Sequence, residues 1–518
     1  MQNKTNQIYT KGDTMNKFKV AAVFSDRMVL QRGKNINVFG YGEDGAKVTV
    51  EFEGNTVSAR AKDGKWVAVL PPHDAAEGLT MTVSCGSEKK TFSEIAVGEV
   101  WLAGGQSNME LELQNCKGGK DVLKNDKDPN VRFYYTQKNC YMDETFYKNE
   151  ENTAWSYFDE ESAKCWSAVG YFFARDLAKR LGVTVGLIGC NWGGTSASAW
   201  MSRESLERDI DLKTYVDEYD EAIKGKTDEQ MIKEYREYQE YDAKWYQKSL
   251  EFYAKHPDGS WDEVQEYCGK NLYPGPQGIL NPYHAGALYS SMVQRVCPYT
   301  IKGFIYYQGE SDDHKPRMYY KLFRGLIDLW RKDWGDDELP FLMVQLPMHR
   351  YKADPDWKHW CLIREAQMRA YKTIKNTGIA VITDCGEFNE IHPKDKVPVG
   401  ERLALQAMYH VYGDKSVKAF GPMYKGLLFK GSEIELMFDY AEDGFETKGQ
   451  PSGFEIAGED KKFVPADMVI EGGRITVSSK EVAEPKYVRY LWTNYGDVTI
   501  YGKNGVPLAP FRTCENDE

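Results

Sequence analysis

The strongest constraint on the fold is a long alternation of apolar, strand-like stretches with amphipathic, helix-like stretches between residues 97 and 415. The apolar stretches read VWLAGG, TVGLIGC, IKGFIYYQ, LPFLMVQLP and GIAVITDC, and stretches of helical period such as SAVGYFFARDLAKRLG and YYKLFRGLIDLWRKDWG lie among them. This alternation predicts a mostly parallel sheet with helices on both faces. Because ligands of such sheets bind beyond the carboxyl ends of the strands, we expect the chemistry just after these stretches.

The stretches before and after this alternation have a different period. Residues 16–96 and 416–518 alternate apolar and polar residues in short runs that Gly, Asp and Asn separate, which is typical of β-sandwich-like regions. Residues 1–15 are polar, and we expect them to be disordered. The sequence therefore predicts an N-terminal β domain over 16–96, an α/β domain over 97–415 and a C-terminal β domain over 416–518.

Residues 203–270 interrupt the α/β pattern. They are highly charged, rich in tyrosine and helical in period, which predicts an inserted helical hairpin packed on the main domain. A plain solvated insertion is one interpretation. The alternatives are a wall of a substrate pocket and a contact between subunits, so a homo-oligomer stays open.

Composition argues against several classes of function. The chain has a formal net charge of -12, an isoelectric point of about 5.4 and no long basic run, so nucleic acid and membrane surfaces are not expected partners. No stretch reaches about 18 apolar residues, and the N-terminal residues lack the apolar core of a signal peptide. We therefore expect a cytoplasmic protein. Its 10 cysteines and 8 histidines have no zinc-type spacing, so no metal is expected.

The first strand of the alternation leads into a serine. VWLAGG ends in two glycines, and Ser107 opens a helix-compatible stretch shortly after them. A serine at such a turn projects from the sheet edge, and the free N–H groups of the first helical turn can stabilise a developing oxyanion. The alternative is that Ser107 only caps the helix, as many serines do at this position.

Three further segments follow strand ends. CNWGGTSASAW over 190–200 is a glycine-rich turn whose backbone N–H groups can approach a ligand closely. YYQGESD over 306–312 supplies the amide of Gln308 and the carboxyl of Glu310, and the loop over 384–396 supplies His392. A nucleophile, a base suited to neutral pH and oxyanion donors are what acyl transfer requires.

The motifs GGQSNM, NWGGT, YYQGES and IHPKDK resemble the sialate O-acetylesterase family of the SGNH hydrolases, which also includes bacterial acetylxylan esterases. The resemblance extends over nearly the whole chain, from FSDRMVLQRGKNINVFGYGEDGAKV to NGVPLAPFRT. It implies an SGNH-type three-layer α/β/α domain with a parallel sheet, flanked by the two β regions and carrying the helical insertion.

The resemblance also implies roles for individual residues. Ser107 would be the nucleophile and His392 the general base. The oxyanion hole would comprise the backbone N–H of Ser107, a backbone N–H at Gly193 or Gly194, and the side chain of Gln308. Residues expected to contact the substrate or brace the site are Gln106, Trp192 and Glu310.

The group that orients His392 is less clearly defined by the sequence. The wider superfamily has Asp three residues before the histidine, and this chain has Asn389 there. Members of the resembled family often have Asp two residues before it, and this chain has Glu390. Glu390 can orient His392, a more distant acid such as Asp384 can do so, or a backbone carbonyl can suffice in a Ser–His dyad. We favour Glu390, because its longer side chain can still reach.

Together these features predict a serine esterase that removes acetyl groups from sugar hydroxyls without a cofactor. A sialate O-acetylesterase is the first candidate, and an esterase of acetylated xylan or mannan oligosaccharides is the alternative. A different class, a non-catalytic carbohydrate-binding protein, would also suit β-sandwiches and an aromatic content of 13%.

The assignment of Glu390 predicts the effect of Glu390→Gln. An amide cannot stabilise the imidazolium form of His392 as a carboxylate does, so we expect turnover of an acetate ester to fall by roughly tenfold or more. Steady-state kinetics on p-nitrophenyl acetate measure this, and near-normal turnover would contradict the assignment.

Overall fold

The computed structural model of the chain describes residues 18–256 and 259–514, so the predicted tail over residues 1–15 lies outside the described residues. Over the described residues the strands are β1 (Lys19–Val20), β2 (Val29–Gln31), β3 (Ile36–Tyr41), β4 (Lys47–Phe52), β5 (Asn55–Arg60), β6 (Lys65–Leu70), β7 (Ala76–Cys85), β8 (Glu88–Gly105), β9 (Val131–Tyr135), β10 (Ser156–Tyr157), β11 (Val185–Asn191), β12 (Gly303–Tyr307), β13 (Phe341–Gln345), β14 (Thr377–Val381), β15 (Met423–Lys430), β16 (Glu433–Asp439), β17 (Phe445–Thr447), β18 (Phe454–Ala457), β19 (Val464–Pro465), β20 (Asp467–Glu471), β21 (Arg474–Ser478), β22 (Tyr487–Tyr490), β23 (Ile500–Gly502) and β24 (Phe511–Arg512).

The α-helices of the same residues are α1 (Ser107–Glu110), α2 (Gly119–Asn125), α3 (Glu144–Glu150), α4 (Glu160–Ala163), α5 (Ala168–Leu181), α6 (Arg203–Glu207), α7 (Lys213–Ala222), α8 (Asp228–Lys255), α9 (Trp261–Cys268), α10 (Gln294–Val296), α11 (Tyr319–Trp334), α12 (His359–Thr373) and α13 (Val397–His410). Within the part of the chain that the structure describes, no helix combines the length and the apolar character needed to cross a membrane.

A large mixed sheet forms the centre of the molecule, in the order β10-β9-β11-β8-β12-β13-β14. Neighbouring strands from β9 to β14 run parallel, and only the short edge strand β10 is antiparallel to its neighbour. Gly105 at the end of β8 lies opposite Asn191 at the end of β11 and Tyr307 at the end of β12. The carboxyl ends of three adjacent strands therefore meet at one level, as the alternating pattern predicts.

Helices cover both faces of this sheet. On one face Phe173 of α5 meets Trp101 of β8 edge-on, with ring centroids 5.2 Å apart, and α13 packs against α5. On the other face Trp330 of α11 meets Phe304 of β12, with centroids 5.3 Å apart, and α12 packs against α11. A Cβ on Gly104 would lie 3.0 Å from the Trp330 ring, so the tryptophan packs directly over the backbone of β8.

Strand β8 joins the N-terminal β region to the central sheet. Its first half pairs with β7 and β2, and its second half pairs with β11 and β12. At the crossover the buried side chain of Gln31 accepts a hydrogen bond from the Val100 N–H at 2.8 Å and donates one to Glu99 at 3.0 Å. The proposed domain boundary after residue 96 stays a prediction, and β8 passes through it without interruption.

The two terminal β regions are built from mainly antiparallel sheets. The N-terminal region has the sheet β1-β3-β6, and its remaining strands pair with β8 directly or through β7 and β4. In the C-terminal region the sheets β15-β16-β21-β20 and β19-β18-β22-β24, with the pair β17-β23, surround a separate apolar core. Buried residues of that core include Ile434, Leu436, Ile456, Ile475 and Val488.

The charged segment over 203–270 forms helices α6 to α9. Thr227 and Ser260 begin α8 and α9 with capping boxes, in which each side chain and the residue three positions later satisfy backbone N–H groups reciprocally. Tyr215 and Val216 of α7 are buried in the main core, while α8 and α9 form a small core of their own. The segment therefore packs on the central domain through α7.

The crossover at Gln31 predicts the effect of Gln31→Leu. The change leaves the Val100 N–H and the buried Glu99 carboxylate without these partners, so we expect the free energy of unfolding to fall by about 1–3 kcal/mol. Urea denaturation followed by tryptophan fluorescence measures it. The matched control is Gln239→Leu on the exposed face of α8, and an equal effect of both changes would contradict a special role for Gln31.

Candidate active site

A cavity of about 770 Å³ opens at the carboxyl ends of β8, β11 and β12. Its walls come from the turns after these strands, from the loop before α13, and from the insertion and the loop that follows it. Predicted site residues that line the cavity are Gln106, Ser107, Gly193, Gly194, Glu310 and His392. Glu390, Trp192 and Gln308 are not among the lining residues.

Ser107 and His392 are in hydrogen-bond contact although 285 positions separate them. The distance from Ser107 Oγ to His392 Nε2 is 2.8 Å. Gln106, not Ser107, is the N-cap residue of α1, and no side chain caps this helix. Ser107 therefore occupies the first helical position, with its hydroxyl directed at the histidine rather than at the backbone.

Gly105 makes this turn sterically feasible. Its φ is +134°, and a Cβ at this position would lie 2.1 Å from the carbonyl oxygen of Tyr307. The next residue, Gln106, donates its backbone N–H to the same Tyr307 oxygen at 3.1 Å. The chain therefore leaves β8 pressed against β12, and only glycine fits there.

Asn108 links the turn that carries Ser107 (the serine turn) to the loop that carries His392 (the histidine loop). Its buried amide nitrogen donates to the carbonyl of Ile391 at 2.9 Å and to Glu310 Oε1 at 2.7 Å. Its amide oxygen accepts a hydrogen bond from Lys396 Nζ at 2.6 Å. The residue after the serine is thus bonded to the residue before the histidine, which fixes the separation of the two reactive side chains.

Burial determines the protonation of this network. Desolvation lowers the pKa of His392 below its ordinary value, the carboxylate of Glu390 opposes that shift, and the charge of Lys396 adds to it. The imidazole is therefore neutral at neutral pH and can accept a proton at Nε2. Desolvation also lowers the pKa of Lys396 to about 8 and raises the pKa of Glu310.

Among the groups considered for orienting His392, Glu390 lies close to it. Glu390 Oε1 accepts the backbone N–H of His392 at 2.8 Å, and the same oxygen is 3.8 Å from His392 Nδ1. The carboxylate therefore holds the loop backbone and faces the ring beyond hydrogen-bond distance. Asp384 instead forms a bidentate ion pair with Arg402, at 2.6 and 2.9 Å. Asn389 accepts the backbone N–H of Lys352 at 3.3 Å.

Two backbone donors remain available for an oxyanion. The N–H groups of Ser107 and Gly194 donate to no acceptor among the described residues. The glycine turn adjoins the serine, since a Cβ on Gly193 would lie 3.1 Å from Ser107 Cβ. The Gly193 N–H donates to the carboxylate of Glu110 at 2.5 Å, so of the two glycines Gly194 is the one with an unused N–H.

The predicted role of Gln308 as an oxyanion donor does not fit this arrangement. Its side chain is buried, and its amide nitrogen donates to Thr195 O at 3.2 Å and to Asp312 Oδ2 at 2.6 Å. Asp312 also accepts hydrogen bonds from Ser196 Oγ and the Ala197 N–H. Both amide hydrogens of Gln308 are thus used to support the loop beneath the cavity.

The position of Trp192 does not support its predicted contact with the substrate. The Trp192 side chain packs against the main core and does not line the cavity. Its backbone N–H donates to Gly105 O at 3.1 Å. Gln106 lines the cavity, but its amide is bonded to Ser311.

The residues of the outer cavity wall are not predicted by the sequence patterns. Tyr215, Tyr219, Tyr273, Tyr283 and His284 also line the cavity. Two of them come from α7 of the insertion and three from the loop that follows α9. The tyrosine content of the segment was the available signal, but it did not identify which tyrosines face inward.

No group of three or more His, Cys, Asp or Glu side chains in residues 18–256 and 259–514 is arranged to hold a metal ion. The groups assembled at the cavity are instead a hydroxyl, an imidazole and free backbone N–H groups, which together can perform acyl transfer.

Comparisons with known proteins agree with this chemistry. A family model described as carbohydrate esterase, sialic acid-specific acetylesterase, matches residues 97–247 and 275–409. Sialate O-acetylesterases of Homo sapiens and Pongo abelii are each 25% identical over 97% of this chain and 93% of their own length. The crystal structure of a carbohydrate acetylesterase from Xanthomonas citri has a TM-score of 0.75 and 28% identity, covering 96% of this chain and 99% of that one.

The charge on Lys396 predicts a shift in the pH profile of Lys396→Met. Removing a positive charge favours the imidazolium form, so the pKa of His392 should rise. The acid limb of kcat/KM, which falls as His392 becomes protonated, should then move to higher pH.

Hydrolysis of p-nitrophenyl acetate across the acid range measures this midpoint. Lys394→Met, an exposed lysine of the same loop, is the control and should leave the midpoint in place. A midpoint that stays or moves to lower pH in Lys396→Met would contradict the lowering of the His392 pKa by Lys396.

Proposed function

Because this chain belongs to the sialic acid-specific acetylesterase family of carbohydrate esterases and is a carboxylic ester hydrolase, we propose that it removes acetyl groups from sugar hydroxyls through a Ser107–His392 mechanism. The observation that carries the mechanism is the 2.8 Å contact between Ser107 Oγ and His392 Nε2. This contact joins a nucleophile and a base that is neutral at neutral pH.

In the proposed reaction Ser107 Oγ attacks the acetyl carbonyl while His392 Nε2 takes the hydroxyl proton. The tetrahedral intermediate collapses to acetyl-Ser107, and His392 returns the proton to the departing sugar oxygen. Water then attacks the acetyl-enzyme with His392 again as base, which releases acetate and restores Ser107.

The developing oxyanion would be held by the backbone N–H groups of Ser107 and Gly194. Both are without an acceptor among the described residues. Glu390 would favour the imidazolium form of His392 through its charge at 3.8 Å. This Ser–His arrangement at the ends of parallel strands supports the assignment of the central domain to the SGNH type.

Family membership alone does not specify which acetylated sugar is the substrate. The 25% identical relatives are sialate O-acetylesterases, which supports an acetylated sialic acid. The Xanthomonas citri structure is a carbohydrate acetylesterase, which supports acetylated sugars more generally, including xylan and mannan oligosaccharides. A location in the cytoplasm and self-association stay predictions.

The nucleophile assignment predicts that Ser107→Ala abolishes activity. Loss of Oγ removes the atom that forms the acyl-enzyme, so release of p-nitrophenol from p-nitrophenyl acetate should fall by about 10³-fold or more. A fluorophosphonate probe should label the unchanged chain at Ser107 and should not label the variant.

The control is Ser87→Ala in an exposed turn of the N-terminal region, which should keep full activity and labelling. Retained ester hydrolysis in Ser107→Ala would refute the mechanism. Absence of labelling in the unchanged chain would favour a carbohydrate-binding site without a reactive serine.

A further inference from the structure

The cavity around Ser107 is lined by carboxylates and lacks fixed positive charge. Glu218, Glu310 and Asp313 line it, and no lysine or arginine is among the described residues that do so. A bound anionic group would therefore meet negative charge without an opposite partner, and burying an unpaired charge is strongly unfavourable.

Two positive charges close to the cavity already have hydrogen-bond partners. Lys315 Nζ lies 2.6 and 2.7 Å from the two carboxylate oxygens of Glu218 and sits over the ring of Tyr215. Lys396 is buried beneath the serine turn and bonded to Asn108. To recruit Lys315, an incoming carboxylate would have to displace Glu218.

The histidines of the cavity do not replace these cations. Desolvation lowers the pKa of His284 to about 4 and also lowers the pKa of His392, so both rings are neutral at neutral pH. The side chain of His314 is exposed, so its interaction with an anion would be screened by solvent.

Two buried polar atoms of the wall lack hydrogen-bond partners. They are the hydroxyl of Tyr215 and Oε2 of Glu310, and both residues line the cavity. The residues are 6% and 4% exposed, so bulk water does not readily satisfy these atoms. A sugar hydroxyl both donates and accepts a hydrogen bond, which is the chemistry that a phenol and a carboxylate oxygen require.

Flat rings complete the outer wall. Tyr219 stacks on His284 with centroids 4.0 Å apart and an interplanar angle of 15°. Tyr273 meets Tyr283 edge-on at 5.1 Å, and it is 51% exposed, which leaves part of its ring for a ligand. Aromatic faces of this kind pack against the apolar faces of sugar rings.

We propose that this cavity selects acetylated glycans whose sugar units are uncharged, and that it disfavours the carboxylate of a sialic acid. The inference rests on the proposed acetylesterase function and adds the class of sugar. The Tyr215 hydroxyl and the Glu310 carboxylate bind hydroxyl groups of the sugar, and Glu218, whose carboxylate holds Lys315, keeps this lysine from pairing with an acidic one.

The experiment measures acetate release from O-acetylated N-acetylneuraminic acid, from its methyl ester, and from acetylated xylo- and manno-oligosaccharides. The methyl ester differs from the acid mainly in the missing negative charge. We expect kcat/KM to be at least tenfold higher for the methyl ester and for the neutral oligosaccharides than for the free acid.

Glu218→Gln tests the source of the selectivity. The change removes a carboxylate and frees Lys315, so the ratio of methyl-ester to free-acid kcat/KM should fall several-fold. Glu221→Gln on the same helix, an exposed glutamate outside the cavity, is the matched control and should keep the ratio. A ratio that does not change in Glu218→Gln overturns the role of this residue.

Tyr215→Phe tests the sugar contact. We expect kcat/KM on the neutral oligosaccharides to fall by about three- to tenfold more than kcat/KM on p-nitrophenyl acetate, which has no sugar. Tyr246→Phe on the exposed face of α8 is the control. Equal losses on both substrates would overturn a contact between Tyr215 and the sugar.

Equal or faster turnover of the free acid overturns the proposed selectivity, and so does a lack of acetate release from every neutral sugar while p-nitrophenyl acetate is cleaved. Failure of the proposed esterase mechanism has a different signature, because p-nitrophenyl acetate would then not be cleaved or Ser107→Ala would still cleave it.

Discussion

Strand β8 is the constraint on which the rest of the structure depends. One uninterrupted strand, Glu88–Gly105, belongs to the N-terminal sheet at its start and to the middle of the central sheet at its end. Gly105 then presses against the backbone of Tyr307, and the next turn exposes Ser107. The position of Ser107 is thus set by backbone pairing on both sides of the strand, which is more rigid than a loop would be.

A buried hydrogen-bond network lies beneath Ser107 and His392. Asn108 is bonded to the Ile391 carbonyl, to Glu310 and to Lys396. An amide can both donate and accept, so one neutral side chain bonds one oxygen of a buried carboxylate and a buried ammonium group. The arrangement keeps the Glu310 carboxyl and the Lys396 ammonium close to Ser107 without bringing them into direct contact, and Lys396 contributes to the lowered pKa of His392.

The parallel order of the central sheet and the meeting of Ser107 with His392 were predictable, because apolar periodicity and strand ends determine both. The role of Gln308 was not predictable, because it depends on Asp312, whose carboxylate lies within 2.6 Å of the amide nitrogen. Nothing in the spacing of the two residues shows that they pair with each other. The composition of the outer wall was not predictable either, because it depends on the direction of individual side chains. The helical period of 203–270 does not reveal that Tyr215 and Tyr219 line the cavity. Glu390 is intermediate: its position in the sequence predicts a place beside His392, whereas its bond to the His392 backbone is not evident from the sequence.

The helical insertion has a consequence for how such a protein can diversify. Its helix α7 supplies Tyr215, Glu218 and Tyr219 to the cavity, whereas the sheet and its turns supply Ser107, Gly194 and His392. Under the proposed function Glu310, in the turn after β12, also contacts the sugar, so recognition is shared between α7 and the sheet turns, whereas bond cleavage depends on the turns and the His392 loop. Substitutions in α7 can alter which sugar is accepted without changing the positions of Ser107 and His392. Relatives that share this pair of residues can therefore act on different acetylated sugars.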